Sequence, residues 1–524
     1  MQTEVKIIEE TNKTLYAKIN SCGLTGINTY KIDIEVDISN GLPNFIIVGL
    51  PDTAINESKE RVRSAIKASR IDFPSKKIVV NLAPGDTKKT GPTYDLPIAI
   101  GILITLGLVN PEYIKDLLIL GELGLSGIIR PINGTLSFAQ YAKKSNITSL
   151  IIPWENASEA SLISGINIFP AKSLKEAIST INNIKTISPL EAKLTSTQIT
   201  SNKNILDFKE AKGQRLAKRA LEIAASGNHH TLLIGPPGSG KTMLAERVPS
   251  ILPPLTQNEK VEVTQIYSIS KKIKDLNSLI STRPFRSPHH TISTAGLVGG
   301  GSSPIPGEIS LAHKGILFLD ELTEFQRNVL NGLRQSMESN EITISRSQKS
   351  INYPCDFTLI AACNPCPCGF FGDSLKKCQC NIEQIKRYIG KLSGPLLDRF
   401  DLQVNSKSLH ENELLSSLIE ESSRDIAKRV IKARKIQIDR YKDHSNFYNA
   451  KLPPTHIKKY CFLNKEGKIL MAHAIKSLGL SGRSYTGVLK VARTIADLYE
   501  SENIEETHLL EALQFRINLN IENV

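Results

Sequence analysis

Residues 235–242 satisfy every fixed position of the pattern G-x-x-x-x-G-K-[ST]. The apolar run Thr231-Leu232-Leu233-Ile234 precedes them, so the sequence predicts a strand, a glycine-rich turn and a helix starting near Lys241. Such a turn directs backbone N–H groups and the positive end of the helix at an anion. The chain is therefore expected to contain an α/β P-loop core that binds nucleotide phosphates. The phosphate-binding residues are Gly235, Pro236, Pro237, Gly238, Ser239, Gly240, Lys241 and Thr242.

Two residues of this turn carry the expected chemistry. Lys241 would neutralise phosphate charge, and the Thr242 hydroxyl would ligate Mg²⁺. Residues 315–319, Gly-Ile-Leu-Phe-Leu, are an unbroken apolar run typical of a central parallel strand, and Asp320 and Glu321 follow it. Two acids after a strand also occur at ordinary turns, but the complete P-loop favours a catalytic pair. Asp320 is predicted to hold Mg²⁺, and Glu321 to activate the water that attacks the γ-phosphate.

Length and composition limit the class of protein. A chain of 524 residues is longer than a single hydrophobic core usually supports, so two to four domains are expected. The N-terminus lacks the layout of a signal peptide, and the longest apolar run, Leu96 to Val109, is too short to span a membrane. We therefore expect a cytoplasmic protein without membrane contact. The net charge of +13 favours a polyanionic partner, although a solvated lysine-rich surface explains it equally well.

Three segments follow one another along the chain. Residues 1–188 alternate strand-like and helix-like stretches, and residues 189–204 are rich in Ser, Thr and Lys, as expected for a linker. Residues 205–409 contain the P-loop, and residues 410–524 are mostly helical. The strands expected in the first segment are 32–38, 77–82 and 150–153, with a helix over 57–68.

Apolar periodicity places several helices in the second and third segments. In the second, Ala217, Ala220, Leu221 and Ala224 share one helix face. In the third, one stripe comprises Val488, Ala492, Ile495 and Tyr499. Thr507 is expected to cap a last helix carrying Leu510, Leu513 and Ile517.

Several further motifs resemble one family along nearly the whole chain. They are residues 37–43 (Asp-Ile-Ser-Asn-Gly-Leu-Pro), 48–52 (Val-Gly-Leu-Pro-Asp), 81–84 (Asn-Leu-Ala-Pro), 283–290 (Arg-Pro-Phe-Arg-Ser-Pro-His-His), 364–369 (Asn-Pro-Cys-Pro-Cys-Gly) and 394–401 (Gly-Pro-Leu-Leu-Asp-Arg-Phe-Asp). With the P-loop they resemble the Mg-chelatase-like branch of AAA+ ATPases, specifically the ComM (YifB) family of bacterial DNA branch-migration helicases. The resemblance implies an AAA+ P-loop core, an N-terminal Lon-protease-like α+β domain of the ribosomal S5 domain 2-like fold, and a C-terminal helical lid.

The resemblance also implies roles for residues outside the P-loop. Asn364 follows the strand expected over 357–362 and matches sensor 1, which would hold the lytic water opposite Glu321. Arg399 resembles an arginine finger that reaches the neighbouring subunit's γ-phosphate; a structural ion pair with a neighbouring aspartate, Asp398 or Asp401, is the alternative. Arg483 is the candidate for sensor 2. Gly213 and Gln214 fall where the related ATPases line the adenine pocket, but this dipeptide is not specific by itself.

An inserted element is implied between the P-loop and the acidic pair. It would contain residues 283–290 and the glycines 299–301. Residues 341–346 and 350–353 further predict a β-hairpin, and hairpins at this place point into the pore of ring helicases. Arg346 and Lys349 are accordingly candidate contacts to the DNA backbone, although solvated hairpin charges are an equal alternative.

The N-terminal segment resembles a Lon-type protease domain without its catalytic dyad. Thr93 and Leu136 fall where the Ser and Lys of those proteases lie. Because leucine cannot act as a base, activation of a nucleophile is lost. We expect a domain without peptidase activity, used for assembly or DNA contact.

Six of the eight cysteines lie between Cys355 and Cys380. Two close pairs, Cys366 with Cys368 and Cys378 with Cys380, together offer four thiolates for a structural Zn²⁺, with Cys363 nearby. The C-x-C spacing is less typical of zinc than C-x-x-C, so reduced thiols in a loop remain the alternative. Adjacent His289 and His290 are expected to be structural or DNA-facing rather than metal ligands.

These features and the resemblance predict an ATP- and Mg²⁺-dependent motor that forms a hexameric ring and acts on single-stranded or branched DNA in recombination or natural transformation. Two other functions stay open at this point. One is a motor subunit for magnesium insertion into a porphyrin, and the other is a Lon-like ATP-dependent protease.

Overall fold

The computed structural model describes residues 16–190, 206–270, 272, 278–301, 304–346, 349–408, 413, 420–442 and 448–516. The chain forms two compact units. One comprises residues 1–199 and 264–279, and the other comprises residues 200–263 and 280–524. Most of the linker expected over 189–204 lies outside the described residues. No described helix is long and apolar enough to cross a membrane.

The first unit contains a seven-stranded mixed sheet in the order β3-β4-β2-β1-β5-β8-β9. Strands β1 and β2 form an antiparallel hairpin in which Thr25 pairs with Asn28, and β2 buries alternate residues, as its period of two predicts. The strands are β1 (Tyr16–Thr25), β2 (Asn28–Ser39), β3 (Asn44–Val48), β4 (Lys77–Ala83), β5 (Leu117–Ile119), β6 (Glu122–Leu123), β7 (Ile129–Arg130), β8 (Ser149–Pro153) and β9 (Asn167–Ala171).

The apolar run at Leu96–Val109 forms the central helix of this unit rather than a membrane segment. All residues of α3 are buried, including Asp95, whose carboxylate accepts from the Arg61 Nε at 2.6 Å. The helices are α1 (Thr53–Asn56), α2 (Ser58–Ala68), α3 (Asp95–Thr105), α4 (Thr135–Lys144), α5 (Ala157–Ala160) and α6 (Leu174–Asn182).

The second unit is built on a five-stranded sheet in the order β11-β14-β17-β10-β18. Every neighbouring pair in it is parallel, so the carboxyl ends of all five strands meet at one edge. The strands are β10 (Thr231–Ile234), β11 (Phe285–Arg286), β12 (Gly299–Gly300), β13 (Ile305–Pro306), β14 (Ile316–Leu319), β15 (Glu341–Arg346), β16 (Lys349–Pro354), β17 (Thr358–Cys363) and β18 (Leu402–Asn405).

The C-terminal helices share one hydrophobic core with this sheet. Leu233 and Phe318 of the sheet belong to the same buried cluster as Val430, Val488 and Leu509 of the helices. The helices after residue 206 are α7 (Arg215–Gly227), α8 (Lys241–Arg247), α9 (Gln257–Ile269), α10 (Thr294–Val298), α11 (Glu308–Leu311), α12 (Arg327–Ser339), α13 (Ile382–Ile389), α14 (Gly394–Leu397), α15 (Ser423–Arg440), α16 (Pro454–Tyr460), α17 (Lys465–Leu478), α18 (Gly482–Leu498) and α19 (Glu506–Gln514). The last turns of α9, from residue 264, belong to the first unit.

The prediction for the last helix was wrong in its cap and in Leu510, whereas Leu513 packs against the core as predicted. Helix α19 begins at Glu506, so Thr507 lies inside the first turn, and the His508 Nδ1 accepts from the backbone N–H of Glu505 at 3.1 Å. Leu509 is buried whereas Leu510 is about half exposed, and Ile517 lies outside the described residues. In α18 the predicted stripe is buried except for its last member, Tyr499, which follows the helix.

The hairpin predicted after α12 is present. Strands β15 and β16 pair antiparallel from Glu341 with Pro354 to Arg346 with Lys349. The side chains of Arg346 and Lys349 lie outside what the structure describes, so their assignment to DNA stays a prediction.

Candidate nucleotide site

The P-loop connects β10 to α8 in the conformation that its glycines allow. Gly238 and Gly240 have φ of +79° and +82°, a region that other residues adopt only with strain. At Gly235 a Cβ would lie 2.1 Å from the carbonyl oxygen of Ser406, so only glycine fits beside the segment that follows β18. The loop can follow this path because glycine, which has no Cβ, occupies these three positions.

Lys241 lies inside the loop. Its Nζ donates to the carbonyl oxygens of Gly235 and Pro236, each at 2.8 Å, and it is 3.4 Å from Oδ1 of Asn364. Burial lowers the pKa of Lys241. The structure thus brings the P-loop lysine to the predicted sensor asparagine, as expected for side chains that follow neighbouring strands β10 and β17.

Thr242 and Asp320 are joined by a short hydrogen bond. The Thr242 hydroxyl donates to Oδ2 of Asp320 at 2.6 Å, and Oδ1 of Asp320 accepts from the backbone N–H of Glu321 at 2.9 Å. A hydroxyl and a carboxylate are both hard oxygen donors of the kind that Mg²⁺ takes beside nucleotide phosphates. The donor set therefore fits the ion expected with ATP.

Glu321 has an uncommon backbone conformation. Its φ is +51°, and its side chain is about half exposed. The carboxylate Oε2 lies 3.2 Å from Nδ1 of His290. This contact was not anticipated, because His290 had been expected only to be structural or to face DNA.

Glu321 and Asn364, the predicted sensor, line one cavity of about 460 Å³. Arg387 and Lys391, from α13 and the turn after it, also line the cavity. Tyr388 of the same helix accepts a hydrogen bond from the Thr323 hydroxyl at 2.6 Å, just after the acidic pair. Glu321, Asn364 and the two cationic side chains thus face one space.

The side chains of Arg399 and Arg483 converge on one glutamate of the same chain rather than on the P-loop. Both guanidinium groups donate to Oε1 of Glu338 in α12, Arg483 at 2.8 Å. The alternative pairing of Arg399 with a neighbouring aspartate is not observed. Asp398 instead accepts from Ser484 at 3.2 Å, and Asp401 contacts His229 at 2.8 Å.

Gly213 and Gln214 pack beside the P-loop. The Gln214 side chain donates to the carbonyl oxygens of Ser239 at 3.0 Å and of Lys407 at 2.6 Å. The backbone N–H of Gly213 donates to Glu420 at 2.9 Å. Their place next to the loop is compatible with a wall of the base pocket, which stays a prediction.

Four cysteines converge after strand β17. The Sγ atoms of Cys366, Cys368, Cys378 and Cys380 all lie within 4.8 Å of one another. Cys363, by contrast, is buried in β17 and does not belong to this group. Backbone N–H groups of Gln379 and Phe370 lower the pKa of the Cys368 thiol to about 6. Such a set of soft thiols suits a tetrahedral metal ion.

Three family models match consecutive parts of the chain: subunit ChlI of Mg-chelatase over residues 34–156, magnesium chelatase subunit ChlI over 207–414, and its C-terminal part over 420–516. Competence protein ComM of Haemophilus influenzae is 42% identical over 494 residues, which cover 94% of this chain and 95% of the relative. The chain belongs to the ComM and YifB family of Mg-chelatase-like proteins.

Two YifB proteins, both called uncharacterized, show the same extent of similarity. That of Salmonella typhimurium is 42% identical over 95% of this chain and 97% of its own length, and that of Escherichia coli is 41% identical over 94% and 95%. Membership makes the chain an AAA+ ATPase that uses ATP and Mg²⁺. The P-loop and the Thr242–Asp320 contact are the parts of this chain that meet that chemistry.

Proposed function

We propose that the protein is an ATP-driven, ring-forming DNA motor, a branch-migration helicase of the cytoplasm that acts in recombination or in the uptake of DNA. The observation that carries the proposal is 42% identity, over nearly the full length of both chains, to a protein named for competence. The net charge of +13 supports a polyanionic substrate.

In this proposal Lys241, Thr242 and Asp320 hold the β- and γ-phosphates and Mg²⁺. Glu321 takes the proton of the attacking water, and Asn364, which lines the same cavity, orients that water. The Lys241 ammonium group lies inside the loop, where it donates to the carbonyl oxygens of Gly235 and Pro236.

We further propose that Arg399 acts on the nucleotide of a neighbouring subunit, in a ring of six, and that Arg483 is the sensor 2 residue that carries the nucleotide state into the position of the lid. Their shared contact with Glu338 supports a link between the two roles. An arginine supplied by a second subunit couples hydrolysis to assembly. A lone chain would then hydrolyse ATP slowly.

Single-stranded or branched DNA would contact the hairpin β15–β16 in the pore. Arg346 and Lys349 form its last strand pair, so the two positions lie at its tip. Changing both to alanine should weaken DNA binding and make the logarithm of affinity less steeply dependent on salt, because each phosphate contact releases counterions. An unchanged salt slope would assign DNA binding to another surface.

Residues 1–188 are proposed to be a Lon-like module without peptidase activity, followed by the linker, the ATPase core over 205–409 and the lid over 410–524. Leu136 is fully buried at the start of α4, and its backbone N–H donates to Glu159 at 3.1 Å. This position therefore cannot supply the lysine that activates the nucleophile in Lon-type proteases. The domain is left with assembly or DNA contact as its role.

We propose that the four cysteines hold a structural Zn²⁺. The Sγ distances from Cys366 to Cys368 and Cys378 are 3.4 and 3.7 Å, and Cys368 lies 3.5 Å from Cys378. A tetrahedral site with zinc–sulfur bonds of about 2.3 Å places its sulfur atoms about 3.8 Å apart. Backbone N–H groups of Cys368 and Cys380 also point at thiols of the group, each at 3.4 Å.

A branch-migration assay on Holliday-type DNA tests the main proposal. Wild type should move the branch with ATP and Mg²⁺, whereas Lys241→Ala and Arg399→Ala should not. Lys465→Ala, an exposed lysine at the start of α17, is the matched control and should behave as wild type. Wild-type protein that neither binds branched DNA nor shows DNA-stimulated hydrolysis would contradict the proposal.

Two outcomes would favour the other functions. Co-purification with a large porphyrin-binding subunit would support a magnesium-insertion motor. ATP-dependent cleavage of labelled casein that is lost in Thr93→Ala would support a protease.

A further inference from the structure

His290 and Glu321 come together from two neighbouring parallel strands. Residues 287–290 follow β11, and Glu321 follows β14 after Asp320, and these two strands pair from Phe285 with Ile316 to Arg286 with Leu317. The histidine therefore reaches the carboxyl edge of the sheet beside the acidic pair. There Nδ1 of His290 lies 3.2 Å from Oε2 of Glu321.

The surroundings of His290 restrict its ring. The rings of His289 and His290 have centroids 4.1 Å apart, and Phe325 approaches His290 edge-on with centroids 6.4 Å apart. His289 is in turn held by Thr291, whose hydroxyl is 2.9 Å from its Nδ1. An imidazole packed between two rings loses little further freedom when it holds a partner.

Glu321 needs such a partner. Its side chain is 55% exposed, and its backbone N–H is bonded to Asp320 rather than to its own carboxylate. A carboxylate free to rotate spends only part of its time aimed at the γ-phosphate water, and proton transfer requires hydrogen-bond reach to that water. A carboxylate that lacks its proton only accepts hydrogen bonds, so His290 can hold it through Nδ1 only in the form that carries the proton on that nitrogen.

We propose that His290 is a positioning residue for the ATPase reaction: its Nδ1–H holds one oxygen of the Glu321 carboxylate, so that the other faces the water. This inference rests on the proposed role of Glu321 as base. His290 would not touch the nucleotide itself. Its loss should lower the rate of the chemical step and leave ATP affinity unchanged, since it contributes nothing to the ground-state complex.

The test compares kcat and KM for ATP in four variants. His290→Ala should lower kcat about 10- to 100-fold, the cost of a misplaced reacting group, with KM within about twofold of wild type. His290→Asn should recover most of kcat, because the asparagine amide nitrogen replaces Nδ1. His290→Gln, which replaces Nε2 instead, should not. His473→Ala, an exposed histidine of α17, should behave as wild type.

The Glu321→Gln variant separates this inference from the proposed function. If His290→Ala alone lowers kcat but does not lower the residual rate of Glu321→Gln when the two changes are combined, the two residues act in one step. If Glu321→Gln is inactive but His290→Ala keeps the wild-type kcat, His290 does not position it. If Glu321→Gln hydrolyses ATP normally, the base assignment fails and the inference with it. Should His290→Ala not fold, equal kcat values for the Asn and Gln variants would overturn the inference.

Discussion

Arg399 and Arg483 donate hydrogen bonds to the same atom, Oε1 of Glu338. Arg399 is 7% exposed, and burial lowers the pKa of its guanidinium. The two arginines in turn hold the pKa of the Glu338 carboxyl below its ordinary value, Arg483 contributing the larger share. One carboxylate thus orders both the proposed arginine finger and the proposed sensor 2 residue.

Mixing two inactive variants tests whether that active site is shared. Lys241→Ala loses the phosphate contact and Arg399→Ala loses the finger, so each alone should lose hydrolysis by at least about 10³-fold. In a mixed ring, an intact site forms where an Arg399→Ala subunit binds ATP beside a Lys241→Ala neighbour. At equal amounts about one interface in four is intact, so ATP turnover should return to about a quarter of wild type.

The matched control for that experiment mixes Lys241→Ala with a Lys241→Ala, Arg399→Ala double variant, which offers no intact site in any arrangement. Its turnover should stay at the level of the single variants. If Arg399→Ala alone retains full turnover while assembled, the shared site is wrong. If mixing recovers nothing from stable rings, the finger acts within its own chain.

Glu338→Gln is expected to act through the two arginines. The amide keeps the shape but removes the charge, so Arg399 and Arg483 lose their common anchor. We expect kcat of the assembled protein to fall about 10-fold, because a charge-assisted contact is replaced by a neutral one, with ATP affinity little changed. Steady-state kinetics at saturating protein measure the effect. A change confined to KM would instead place Glu338 in nucleotide binding.

Thr242 and Asp320 predict a defined magnesium dependence. Their oxygens lie 2.6 Å apart, so a cation between a phosphate and this pair would gain ligands from both. Thr242→Ala should weaken Mg·ATP binding while leaving metal-free ATP binding nearly unchanged, and Thr242→Ser should restore the difference. Titration of ATP with and without Mg²⁺ measures it. Equal effects under both conditions would show that the hydroxyl has a purely structural role.

Much of this site could be predicted from the sequence alone. Buried parallel strands are short, unbroken apolar runs, and the residues that follow them meet at one edge of the sheet. The P-loop strand and the strand before Asp320 are where their apolar runs predict, and the strand before Asn364 is displaced by one residue. The contact of His290 with Glu321 could not be read from spacing, because it depends on β11 pairing with β14. The placement of Arg483 at Glu338 depends in the same way on how α18 packs.

Helix ends and exposed faces were harder to predict than buried strands. Thr507 is a good capping residue, but the helix is capped at Glu505, two residues earlier, whose backbone N–H donates to His508. The preference of threonine for a cap is worth only about 1 kcal/mol, and burial of Leu509 and Ala512 outweighs it. The four cysteines were grouped correctly by sequence, whereas the ion that they bind is a matter for measurement.

Metal content separates zinc from a group of reduced thiols. Purified wild type should contain about one Zn²⁺ per chain, and Cys378→Ser should contain less than half of that, because a site with three thiolates binds more weakly. Cys363→Ser, which changes a cysteine outside the group, is the control and should retain the metal. Elemental analysis after dialysis measures the ratio. Equal zinc in both variants would assign the metal elsewhere.

The last prediction concerns a buried group of three charged residues, Asp356, Lys314 and Lys451. The Asp356 carboxylate contacts Lys314 at 2.7 Å and also Lys451, and although burial opposes its charge, the two lysines hold its pKa below the ordinary value. A lowered folded pKa stabilises the fold above the unfolded pKa of about 3.9, and this stability is lost as the pH falls through the folded value. At pH 7 the contribution is therefore complete.

Asp356→Asn should lower the free energy of unfolding by about 3 to 5 kcal/mol at pH 7, because two lysines then lack their shared partner. The penalty should shrink below pH 4, where the wild-type carboxylate also begins to lose its advantage. Denaturant unfolding at the two pH values measures it, with Asp439→Asn on the exposed face of α15 as control. A loss at pH 7 no larger than that of the control would show that the triad contributes no net stability, since its desolvation cost would then match its attraction.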